Sequence, residues 1–276
     1  MTLLVSVATL PCRADGITIA GGAAADAEGS RSLSGLVDMG FGDINALTLI
    51  AGAARGDTVT DRIDTRSAAL TWTQTYDAGG WYVSGGLWGD ADRLESADYT
   101  LGVFASPGGW RFGLDYERRE IDLTFSIAPL IGGNPPRQVT VGASASGYGA
   151  SVRYEWPSRT RVRLSGRRFD YDRNLNQLAR LDAVRRISPT TLTLAGALRD
   201  FTVTASAEFE AGLSVFGIDV TRDRLAIGAI DVTGVTGRWL TPVGRRTDLE
   251  LSVGYSDSAD GDGAASVGLL LFYYLD

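Results

Sequence analysis

Residues 263–276 read GAASVGLLLFYYLD. Ala265, Val267, Leu269, Leu271, Tyr273 and Leu275 fall on alternate positions, so a β-strand sets all six on one face. The opposite face starts small, with Ser266 and Gly268, and finishes with Leu270, Phe272 and Tyr274. A strand of a soluble sandwich ordinarily loses its apolar character at the end. This one ends in aromatics, as a strand does whose last turn lies at a membrane–water interface.

The same period of two runs back through the chain. Ala68, Leu70, Trp72 and Tyr76 share a face, as do Trp81, Val83 and Leu87, and then Tyr99, Leu101, Val103 and Ala105. Trp110, Phe112, Leu114 and Tyr116 alternate with Arg111, Gly113, Asp115 and Glu117, and Ile121, Leu123, Phe125 and Ile127 continue the rhythm. Tyr148, Ala150, Val152, Tyr154 and Trp156 alternate with Gly147, Gly149, Ser151, Arg153 and Glu155. Leu249, Leu251, Val253 and Tyr255 alternate with Asp248, Glu250, Ser252 and Gly254. No long stripe of helical period appears, and residues 174–186 also read as a strand.

Tight turns are expected at 40–43, 77–80, 106–109, 157–160, 188–190 and 241–244, where Gly and Pro supply the backbone angles that hairpins need. Between them lie more polar stretches at 25–31, 55–64, 90–96, 128–138 and 257–263, read as longer loops. Short turns alternating with longer loops suit a barrel with a periplasmic and an outer end.

The C-terminal stretch resembles the last strand of bacterial outer-membrane β-barrels, the segment read by their assembly machinery. Ser266, Gly268, Leu271 and Tyr273 stand at the fixed places of that signal. The family usually ends on an aromatic residue, whereas this chain adds Leu275 and Asp276. The resemblance implies an integral barrel in outer-membrane lipid, inserted by the barrel-assembly machinery, and admits a homo-oligomer.

Composition agrees. Hydrophobic residues make up 44%, yet no run approaches the ~18 consecutive apolar residues of a membrane helix. Glycine, at 35 residues, is too abundant for a helical protein and has no collagen period. A net charge of −7 argues against a nucleic-acid partner. Residues 1–14, MTLLVSVATLPCRA, hold a short apolar core from Leu3 to Leu10 followed by Cys12-Arg13-Ala14. We expect an export leader there, although no cation precedes its apolar core; a first strand or a frayed terminus is the alternative. Removal after Ala14 leaves a chain without cysteine, which suits an oxidising compartment. Residues 15–276 then form a single barrel domain. The expected fold is all-β, an antiparallel up-and-down transmembrane β-barrel. At roughly 19 residues per strand and connection it has about 14 strands, within a range of 12–16. The uncertain stretch is 190–240, which reads as two strands around a long loop or four strands with turns at 199–200 and 221–224.

Absences limit the chemistry. The chain has no histidine, so no Ser–His–Asp triad can be built; it has no lysine, so there is no Walker-type loop or Schiff base. The outer-membrane hydrolases that the fold resembles depend on histidine, and their mechanisms do not transfer. The carboxylate pairs Asp115 with Glu117 and Asp248 with Glu250 read as wall residues. The acidic tip Asp257, Asp260 and Asp262 lacks the spacing and closing Glu of a calcium loop. Neither a cofactor nor a metal is expected, and the chain is read as no enzyme.

The positive signal is arginine. Arg161, Arg163 and Arg167 alternate with Val162, Leu164 and Gly166 and so point away from lipid, where an arginine costs ~2–4 kcal/mol. Arg168 breaks the alternation, which places a bulge or the membrane edge there. The expected pore lining is Arg111, Asp115, Glu117, Arg153, Glu155, Arg161, Arg163, Arg167, Arg180, Asp182, Asp248 and Glu250. The arginines are expected to face acidic groups across the pore or an inward-folded loop at 128–147. Transverse charge of this kind favours anions near the basic wall. The functional expectation is a porin-like passive diffusion channel for small hydrophilic solutes, anions among them, in the bacterial outer membrane. The alternative is a non-conducting barrel whose lumen is filled by Arg–carboxylate pairs.

Overall fold

A computed structural model describes residues 16–27, 29–57, 62–90, 93–127, 137–175, 198–259 and 261–275. The expected leader therefore lies outside the described residues. Fourteen strands run β1 (Ile17–Asp26), β2 (Arg31–Phe41), β3 (Asn45–Asp57), β4 (Arg62–Tyr76), β5 (Gly79–Asp90), β6 (Leu94–Ala105) and β7 (Trp110–Ile127). They continue as β8 (Arg137–Glu155), β9 (Arg161–Tyr171), β10 (Arg199–Ala211), β11 (Ser214–Leu225), β12 (Asp231–Pro242), β13 (Thr247–Ser258) and β14 (Gly261–Leu275). Each pairs antiparallel with its sequence neighbour. β14 closes on β1 from Ile17 opposite Leu275 to Asp26 opposite Ser266, so the cylinder has no free edge. Among the described residues no helix is long and apolar enough to cross a membrane; any crossing is made by strands.

The period-two code decides which side chain faces outward. Leu33, Leu70, Leu87, Leu101, Leu114, Leu164, Val253 and Val267 are all exposed on the outer face. For a soluble protein this contiguous apolar skin would be an aggregation hazard; for a membrane barrel it is the lipid contact. Aromatics mark its edges. Toward the short turns stand Phe41 packed edge-on against Trp72, Trp110 against Tyr154, Tyr154 against Trp156, and Phe209 stacked on Phe216. Toward the other end stand Tyr99, Tyr255 and the Tyr116–Tyr148 pair. Tyr148 and Trp156 are eight residues apart on one strand line. At ~3.3 Å per residue and a tilt of ~40° they span roughly 20 Å, close to the ~25 Å apolar band of outer-membrane barrels.

Several expectations need correction. Among the described residues of the stretch 190–240, which are 198–240, there are neither two strands nor four. β10, β11 and most of β12 lie there, with turns at 212–213 and 226–230. The first was overlooked because a single glycine makes it: Gly212 has φ +65°, a left-handed angle, and Leu213 beside it is apolar. Asn174 and Leu175 are not in a strand, and the rest of 174–186, like the turn at 188–190, lies outside the described residues. No loop folds inward at 137–147, because those residues belong to β8. The β8–β9 ladder passes Arg168 without a register shift and the β9–β10 ladder ends on it, opposite Phe201, so it marks the membrane edge rather than a bulge. The polar stretches at 90–96 and 257–263 are mostly strand, whereas 25–31 holds the β1–β2 turn as expected. Beyond the membrane both faces of a hairpin can be polar, so the alternation fades while the ladder continues.

At that outer end the code inverts. Ile121 and Leu123 on β7 take the inward parity of Arg111 and Asp115, not the outward parity of Leu114. With Leu94, Ala143, Leu175 and Leu198 they form a buried cluster, joined by Ile63, Trp88, Val141, Tyr171, Ala226 and Ile227. Leu175 and Leu198, the described ends of the β9–β10 connection, are 3% and 0% exposed. Both described ends of that connection therefore pack into the inward cluster. A second inward cluster, Ala20, Leu36 and Phe272 with Ile50, Leu240, Leu270 and Tyr274, fills the short-turn end on the opposite wall.

Candidate functional site

Between the two apolar clusters the wall formed by β6 to β12 carries the charge. Arg111, Asp115 and Glu117 of β7 point inward, as do Arg153 and Glu155 of β8 and Arg161, Arg163 and Arg167 of β9. Asp248 and Glu250 share the inward parity of β13, across from Phe272 and Leu270. Arg180 and Asp182 lie outside the described residues. Inward placement follows from elimination: the other face of each strand is the lipid band, where ion pairs have no water and little room.

The arginines do not meet acids across the pore, as expected, but on neighbouring strands of the same wall. Arg167 binds both Asp115 and Glu117. Glu117 also takes a hydrogen bond from Arg119 at 2.7 Å, and Arg119 donates to Asp98 at 3.0 Å. Lower on the wall Arg161 lies 3.2 Å from Glu155 and 3.8 Å from Glu208. Arg238 joins Glu208 at 3.0 Å to Asp219 at 2.9 Å. Arg199 lies 3.3 Å from Asp223. Each carboxylate is thus spread over one or two guanidinium forks, an arrangement that holds charge rigidly in a partly dry space.

Between these two paired groups lies a row with a different character. Arg111, Arg153 and Arg163 sit directly opposite one another on β7, β8 and β9. Arg111 stacks over the Phe104 ring at 3.6 Å. The row faces a cavity of about 470 Å3 that is also lined by Tyr82, Ser151, Ser165, Ser206 and Phe169. Eight arginines line this cavity against Asp115 and Glu208 as the lining acids. Guanidinium groups therefore outnumber carboxylates around this space. Among the described residues no group of three or more His, Cys, Asp or Glu side chains is arranged to hold a metal.

The sequence reading overlooked Arg119, Arg238, Glu208 and Asp219. The signal was present: Arg119 shares the parity of Arg111 and Asp115, and Arg238 alternates with the lipid-facing Trp239.

No protein-family model and no curated protein matches the chain. Its backbone is similar to solved structures over nearly the whole length. A monoaromatic hydrocarbon channel, CymD, superposes with a TM-score of 0.54 at 10% identity over 95% of this chain and 88% of that one. The outer-membrane-expressed OmpT of Vibrio cholerae gives 0.53 at 10% identity over 96% and 99%. Its loop L8 deletion mutant gives 0.52 at 10% over 95% and 98%.

The fold is that of a bacterial outer-membrane β-barrel.

The girdled apolar skin of the barrel, its closed strand order and its short and long ends agree with that fold. β14 is both the C-terminal strand and one side of the closing seam. Leu271 and Tyr273 turn outward there, Ser266 and Gly268 inward.

Proposed function

We propose that the barrel is a passive diffusion channel for small hydrophilic solutes across the outer membrane, with a preference for anions and no catalytic step. One observation carries this reading: the cavity of about 470 Å3 inside the wall, with eight arginines among its lining residues. A lumen filled by its own side chains would leave no such space, and a wall of balanced charge would have no preference. Arg111, Asp115, Glu117, Arg153, Glu155, Arg161, Arg163 and Arg167 are the proposed lining of the constriction, with Asp248 and Glu250 on the acidic side. The hydrocarbon channel among the similar structures and the absence of histidine from the chain support a conduit over an enzyme. Ser266, Gly268, Leu271 and Tyr273 are the proposed signal to the assembly machinery.

Planar-bilayer recording tests the reading. Purified barrel should give discrete conductance steps with an anion-selective reversal potential. Arg161→Glu with Arg163→Glu should move that potential toward cation selectivity. No steps from folded protein would favour the alternative, a closed barrel stiffened by its ion pairs.

A further inference from the structure

We propose that Arg111, Arg153 and Arg163 form a saturable binding site for a compact dianionic oxyanion, a phosphate or a pair of carboxylates. The site rests on the reading of the lumen as an aqueous channel and gives that channel a substrate class.

The three residues occupy one row of the wall, Arg111 opposite Arg153 and Arg153 opposite Arg163. Like charges set directly opposite in a sheet are destabilising. Elsewhere on the same wall the chain avoids that cost. Arg167 has Asp115 and Glu117, and Arg161 has Glu155 and Glu208. Among the described residues neither Arg111 nor Arg163 has an ion-pair partner. The surplus positive charge is therefore local, bounded on either side by neutralised rows.

The row is also equipped for recognition. The Phe104 ring packs on Arg111 from behind at 3.6 Å and limits where its fork can point. Ser151 and Ser165 stand opposite each other in the adjacent row, and Ser206 continues the row beyond Arg163. All three serines and all three arginines line the same cavity. A guanidinium offers two parallel donors, which match a two-oxygen edge. Three forks side by side, with hydroxyls beside them, suit a small ligand that presents several oxygen edges and two negative charges. A spherical halide uses a single donor of each fork and gains nothing from the row. The inward parity excludes a lipid headgroup as the occupant.

Isothermal titration of the detergent-purified, folded full chain tests the site without reference to conductance. One arm uses inorganic phosphate, the other malonate. One-to-one saturable binding of at least one is expected, and the tighter arm assigns the oxyanion. Arg163→Gln should weaken it at least tenfold, and Arg163→Lys, which keeps charge but loses the fork, by an intermediate factor. A heat-dependent shift on electrophoresis establishes that each variant has formed its barrel. If neither anion binds, or if binding is unchanged in both Arg163→Gln and Arg111→Gln, the site is refuted. A barrel that binds phosphate but passes no current would overturn the transport reading and leave the site standing. One that conducts and ignores both anions would do the reverse.

Discussion

Asp115 and Arg167 form an ion pair across a strand that belongs to neither of them. Asp115 is on β7, Arg167 on β9, and Gly149 of β8 lies between, in register with both. A β-carbon at Gly149 would fall within the van der Waals shell of the Asp115 carboxylate. The absent side chain is what lets the two charges meet.

Gly149→Ala should therefore separate Asp115 from Arg167. The expected cost is about 1–3 kcal/mol, the usual penalty for leaving a partly buried polar group unsatisfied. The cost should shrink in an Asp115→Ala background, because the methyl group then has nothing to displace. A double-mutant cycle by urea titration in lipid vesicles measures this coupling. Equal costs in both backgrounds would mean that the glycine serves only the backbone.

The outward parity makes a sharper demand. Leu114 is 64% exposed and stands between Phe112 and Tyr116 on the lipid side of β7. Leu114→Arg should cost about 2–4 kcal/mol of folding free energy in a bilayer. Ser84→Arg, on the inward parity of β5, should cost far less because the side chain enters the barrel interior and not the lipid. Refolding yields into vesicles of the two variants would rank them. The opposite order would reverse the assignment of inside and outside.

Outside the membrane, Asp231 at the start of β12 predicts a pH response. Hydrogen bonds from Arg224 and then from Arg222 hold its carboxyl down to about 2. The folded-state value is depressed, so its contribution is present above the ordinary Asp value of ~3.9 and is lost as pH falls toward 2. The clip should survive mild acid. A carboxyl NMR titration of labelled protein should find the Asp231 midpoint near 2, rising toward ~3.9 in Arg224→Gln with Arg222→Gln. A wild-type midpoint near 4 would mean that the three side chains do not associate in solution.

Much of this was legible in the sequence because a membrane barrel obeys one rule. Lipid on one side and water on the other make each strand a strict alternation, so Leu114 against Asp115, or Leu164 against Arg163, shows its orientation without a structure. The closing strand added polarity and end. The rule is silent where lipid is absent. Nothing in the alternation distinguishes the strand at 94–96 from a loop, and the single-glycine turn at 212 sits between apolar residues. Nor does parity reveal which acid an arginine will meet. Arg167 pairs with its own wall because Gly149 leaves room, a fact that depends on three strands at once. Opposed charge across the pore was the simpler expectation, and local pairing prevailed over it.

The inversion at the outer end of β7 is the strongest check on the interior. Leu123 is 1% exposed and packs in the cluster with Leu94, Ile121, Leu175 and Leu198, while Glu120 and Asp122 take the outer face. In this stretch the barrel behaves as a soluble protein turned inward, with an apolar core and a polar surface. Leu123→Ala should then cost about 2–5 kcal/mol, the range for a leucine truncated in a packed core. Glu120→Ala, three residues away on the exposed parity, should stay within about 0.5 kcal/mol. The comparison separates a packed roof from inward side chains that merely line a wide mouth. In the second case water already reaches Leu123, no cavity forms on truncation, and the two substitutions would cost nearly the same. Urea titration of both variants in the same vesicles decides between them.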